Sequence, residues 1–80
     1  MPKLRLHLTF PEGLIKDPII WRLGRQYDII TNVRRANVEE KVGWIILEVE
    51  GTEEALDQGI QWLTEMGVQV DRLPGDAVES

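Results

Sequence analysis

From Lys3 to Phe10 every second residue is apolar: Leu4, Leu6, Leu8 and Phe10 alternate with Lys3, Arg5, His7 and Thr9. A period of two sends the two sets to opposite faces of a β-strand, so the segment has one core face and one polar face. The alternation returns from Val42 to Glu50, with Ile45, Leu47 and Val49 on one face and Trp44, Ile46, Glu48 and Glu50 on the other. Two half-buried strands, each followed by a helix signal, restrict the chain to a sheet covered on one side. Eighty residues make one domain. A chain of that size buries roughly 60% of its unfolded surface, so both strands share a single core.

After the first strand, Pro11, Glu12 and Gly13 break the pattern, and Asp17-Pro18 reads as a helix cap followed by the first helical residue. The first helix is predicted over 18–27. Ile19, Ile20, Leu23 and Tyr27 form its apolar stripe, and Arg22, Arg25 and Gln26 turn outward. Gly24 costs about 1 kcal/mol against alanine, which points to close packing. The stretch 29–39 is rich in β-branched residues but interleaves Asn32, Arg34, Arg35 and Asn37, as an edge strand with a bulge would. A tight turn follows near Glu40 and Lys41. Thr52 caps the second helix, Glu53 and Glu54 suit its positive end, and Gly67 stops it after Met66. Leu56, Gly59, Ile60, Leu63 and Met66 make its buried stripe. Val68, Val70 and Leu73 supply a short last strand, and 74–80 is expected to be a frayed, disordered tail beyond a domain spanning 1–73.

Strand, helix, strand, strand, helix, strand with short links gives an α+β, βαββαβ split sandwich. Right-handed crossovers put both helices on one face of a four-stranded antiparallel sheet of order 4-1-3-2. The first and third strands are then central. Their polar sides share the helix-free face.

The formal charge of −5 argues against broad binding to nucleic acid or anionic membrane. With no cysteine in the chain, thiolate chemistry, disulfides and cysteine-held clusters are excluded within it. The alternating start is unlike a signal peptide or a membrane span, so a cytoplasmic address is expected. His7 is the sole histidine and no carboxylates cluster at ligand spacing, so neither a metal site nor a cofactor is expected. No nucleophile, base and oxyanion set is visible, and the reading is of a protein that binds rather than catalyses.

Two surfaces remain. On the helix-free face, Trp44 and Ile46 offer a docking patch, most simply for a second copy of the domain. The alternative is that singly exposed apolar residues are ordinary. RNA recognition would need outward aromatics on both central strands, and the paired glutamates repel RNA. In the second strand, Asn32-Val33-Arg34-Arg35 is polar on both faces. It is either a solvated edge or the lining of a site for a zwitterion, with Asn32 as donor and acceptor and arginine as a carboxylate clamp. Trp21 and Trp62 are read as partial covers of the core.

Taken in order, Leu8-Thr9-Phe10, Pro18-Ile19-Ile20, Leu23 to Tyr27, Asn32-Val33, Val42-Gly43 to Gly51, Ile60-Gln61-Trp62-Leu63 and Gly67-Val68-Gln69-Val70 resemble the NIL domain. This is the regulatory module at the C-terminus of ATPase subunits of methionine-importing ABC transporters. The resemblance spans essentially the whole folded chain and implies a ferredoxin-like fold, dimerisation, and allosteric inhibition by bound L-methionine. The family's Asn-Ile-Leu motif falls on Asn32-Val33-Arg34, which makes Asn32, Val33 and Arg34 the implied ligand-binding residues. Arg34 departs from the apolar motif residue. The resemblance leads us to expect a stand-alone homodimeric amino-acid sensor. The alternative is a protein-interaction module that acts with a separate transporter or iron–sulfur partner and binds no small ligand.

Overall fold

The computed structural model describes residues 1–14, 17–39 and 41–74. Its elements are β1 (Lys3–Phe10), a short 3-10 turn at Glu12–Leu14, α1 (Ile19–Tyr27), β2 (Ile30–Val38), β3 (Gly43–Glu50), α2 (Glu53–Met66) and β4 (Gln69–Arg72). All neighbouring strands are antiparallel, in the order β2-β3-β1-β4. Read from the opposite edge this is the expected 4-1-3-2, so the fold is the ferredoxin-like α+β sandwich. The end of the expected tail, 75–80, and Glu40 of the expected turn lie outside the described residues.

The alternation seen in the sequence becomes the core. Leu6, Leu8 and Phe10 of β1 and Leu47 and Val49 of β3 are buried against Ile19 and Leu23 of α1 and Leu56 and Leu63 of α2. Register makes this one surface, since Leu6 faces Leu47, Leu4 faces Val49 and Leu8 faces Ile45. The helices approach closely where glycine permits it. A Cβ on Gly24 would lie 3.1 Å from the Ile29 carbonyl oxygen, and one on Gly59 would lie 2.7 Å from Cδ1 of Ile29.

α2 begins and ends as its sequence dictates. Thr52 Oγ1 accepts from the Ala55 N–H at 3.0 Å, and Gly67 closes the helix at φ 103° while its N–H reaches the Leu63 and Thr64 carbonyls. α1 differs from expectation. Pro18 rather than Asp17 takes the cap position, and no side chain caps the helix. The Asp17 carboxylate instead accepts from Arg22 Nη1 at 3.2 and 3.4 Å. Arg22 is therefore not turned out to water, because its guanidinium also lies 5.2 Å from the Trp62 ring centre. Trp62 packs on the core as expected, tilted against Tyr27 at 5.9 Å. Trp21 does not cover the core: it is 61% exposed, beneath Arg25. The last turn of α1 closes on Asp28 in the left-handed region, which buries Ile29 in the link before β2.

Candidate functional site

β2 is an edge strand with a bulge, as its mixed pattern suggests. Val33 faces Leu47 and Arg35 faces Ile46, so Arg34 is the extra residue between two registers. The bulge resets which side chains share a face. Thr31, Val33, Ala36 and Val38 lie opposite Val49, Leu47, Ile45 and Gly43 on the helix side. Ile30, Asn32, Arg35 and Asn37 lie opposite Glu50, Glu48, Ile46 and Trp44 on the open side. From Asn32 to Val38 every residue of the strand is exposed, with Val33 at 50% and Val38 at 60%.

The open face is an ordered polar surface. Arg5 Nη2 stands 3.7 Å from Glu48 Oε2, and Lys3 faces Glu50. His7 stacks on Trp44, ring centres 5.4 Å apart and planes 20° from parallel. Trp44 and Ile46 are thus half-buried among their strand neighbours. The strongly exposed apolar side chains sit elsewhere, on α1 and around β2: Trp21, Ile30, Val33, Val38 and Val42, apart from Met1.

An apolar hollow of ≈ 140 Å³ opens between the start of α1 and the far end of β2 and β3. Phe10, Ile19, Ile20, Trp21, Val38 and Ile45 form its walls, and Asp17 is the one charged residue among the described residues of its lining. Its walls come from β1, α1, β2 and β3. No local pattern in the sequence joins them, although the break after Phe10 and the flank position of Trp21 were visible. Asn32, Val33 and Arg34 are not brought into the hollow. Asn32 lies six residues up β2 from Val38, roughly 20 Å at strand rise, and on the opposite face.

The family model described as the NIL domain matches residues 4–72. The chain belongs to the NIL domain family. It is 31% identical over 72 residues to the methionine import ATP-binding protein MetN of Coxiella burnetii, covering 85% of this chain and 20% of that protein. It is 28% identical over 60 residues to the MetN of Helicobacter hepaticus, covering 70% of this chain and 17% of that protein. The chain therefore spans about a fifth of the length of these relatives. The C-terminal domain of an ABC transporter ATP-binding protein from Enterococcus faecalis shares the fold, with a TM-score of 0.78 and 18% identity over 91% of this chain and 86% of that one. In this NIL domain Asn32, the expected motif asparagine, stands on the open side of β2, and Arg34 is the bulge itself. Among the described residues, no group of three or more His, Cys, Asp or Glu is placed to hold a metal ion. No helix among them is long and apolar enough to cross a membrane.

Proposed function

We propose that this NIL domain is a non-catalytic, cytoplasmic regulatory module that senses a free amino acid with an apolar side chain, of the L-methionine kind, as a homodimer. The observation that carries the reading is the apolar hollow beside α1 in a chain of this family. A cavity of about 150 Å³ holds a benzene-sized apolar group, so the hollow suits one thioether or branched side chain. Asp17 on its lining offers a carboxylate to the ligand's ammonium. The N-terminus of α1, which no side chain caps, is offered to the ligand's carboxylate.

Within one copy Asn32 is too far along β2 to meet that ligand. A second copy instead brings its own β2 alongside the hollow. Two β2 edges paired antiparallel keep like faces together in the register that sets Val33 opposite Ala36 of the second copy, because the bulge shifts the alternation by one residue. Asn32 then lies opposite Asn37, and Thr31 opposite Val38, which lines the hollow. Thr31 and Val33 of one copy then lie beside the hollow of the other, Asn32 stands between them on the opposite face, and Arg34 supplies the bulge behind that register. The open face with Trp44 and Ile46 is left for the protein whose activity the module regulates. Ligand binding shifts that protein's state only through a differential affinity between the two states.

Titration calorimetry of the chain with L-methionine, L-leucine and other amino acids tests the reading. Saturable heat for methionine is expected and is lost in Val38→Asp. Absence of heat for every amino acid at millimolar concentration refutes it.

A further inference from the structure

Three of the arginines are matched to carboxylates: Arg5 to Glu48, Arg22 to Asp17 and Arg72 to Asp57. Arg34 and Arg35 are exposed and have no ion pair among the described residues. β2 holds no acid, and the β3 residues opposite this stretch are Ile46 and Leu47. The next acid along, Glu48, faces Asn32 and is engaged by Arg5. Two permanent positive charges therefore stand uncompensated at the middle of the one long edge, in a chain whose net charge is −5.

The consequence concerns the edge-paired dimer proposed above, on which this inference rests. The register that sets Val33 opposite Ala36 also sets Arg34 of each copy opposite Arg35 of the other. Four arginines then meet around the two-fold axis, their backbones within about 7 Å along the strands and about 5 Å across them. Left alone, four like charges at the centre of the interface oppose closure. Guanidinium forks match phosphoryl oxygens in pairs, and a single multivalent anion on the axis neutralises both copies at once. The geometry points to an oxyanion site on the two-fold: a phosphate or diphosphate group held by Arg34 and Arg35 of both copies, whose binding lets the β2 edges close. The amino acid and the anion then act on one assembly from different sites, since the hollow lies at the far end of the strand.

Sedimentation equilibrium of the intact chain decides it, run at matched pH and ionic strength in chloride, in inorganic pyrophosphate and in ADP. The wild-type dimer is expected to be at least about tenfold tighter in pyrophosphate than in chloride. An equal effect of ADP assigns the site to the diphosphate group in either form, and a response to pyrophosphate alone assigns it to the free anion. The double variant Arg34→Leu, Arg35→Gln is expected to dimerise in chloride and to ignore both anions. Equal wild-type association in all three solutions overturns the anion site while leaving the dimer in place. So does an undiminished anion response in the double variant. Monomer throughout, for both proteins, overturns the edge pairing and the anion site with it.

Discussion

Replacing Gly59 with alanine sets two known effects against each other at one atom. Removing glycine from a helix interior gains about 1 kcal/mol. The new Cβ, however, arrives 2.7 Å from Cδ1 of Ile29 and 3.0 Å from Cδ1 of Leu23, where carbon atoms normally rest about 3.5–4.0 Å apart. Both methyl groups end flexible side chains, but those side chains are only 6% and 1% exposed. They share their space with Leu6, Val49, Leu56 and Leu63, so neither can swing away into solvent. Overpacking of this kind costs about 1–3 kcal/mol, and the clash outweighs the propensity gain. A net loss of about 1 kcal/mol is expected, read as a fall in Tm of roughly 4–8 °C for a domain of this size. The cause is checked with Ile29→Val, which deletes the closer methyl and by itself costs about 0.5–1.5 kcal/mol. In that background Gly59→Ala is expected to become neutral or stabilising, a coupling of about 1 kcal/mol in a double-mutant cycle followed by urea unfolding. A rise in Tm for Gly59→Ala alone refutes the reasoning. So does the same loss in both backgrounds.

Thr52→Ala removes the hydroxyl that accepts from the Ala55 N–H and is expected to cost about 1 kcal/mol, seen as a lower urea midpoint at unchanged slope. Leu47→Ala empties a fully buried position on the central strand β3 and is expected to cost about 2–5 kcal/mol by the same measurement. Trp21→Ser alters an exposed side chain that lines the hollow. Stability is expected to stay within about 0.5 kcal/mol, while calorimetry shows weaker methionine binding; unchanged binding would remove the hollow from the proposed site.

The strand order was legible because two segments obey a strict period of two and two helices carry readable ends. Once Leu4 to Phe10 and Ile45 to Val49 claim the core face, the central positions of β1 and β3 follow from handedness alone. The edge position of β2 was legible in its polarity, but the place of its bulge was not. Asn32, Arg34, Arg35 and Asn37 break the alternation, so no apolar run marks where the register slips; only pairing with Ile46 and Leu47 does. Asp17 was misread for a related reason. An acid before a proline has the chemistry of a cap, yet Arg22 one turn on offers it a full charge, and the carboxylate takes that instead. The hollow was beyond the sequence altogether, since its walls meet only after β1, α1, β2 and β3 have packed.

A sheet of this order leaves two edges open, and they are unequal. β4 has four residues, too few for a long added strand, whereas β2 has nine. A long edge invites indiscriminate strand addition unless something restricts it, and β2 carries the two devices that do so: a bulge at Arg34 and a pair of charges at its centre. Neither device simply blocks the edge. A second β2, bulged at the same residue, can pair with its side-chain faces matched on both sides of Arg34. In the edge pairing proposed above the arginines add a second condition, because that strand also brings like charges together. Under that proposal shape admits the second copy and charge withholds it until an anion arrives, which is the combination that makes an assembly switchable rather than permanent.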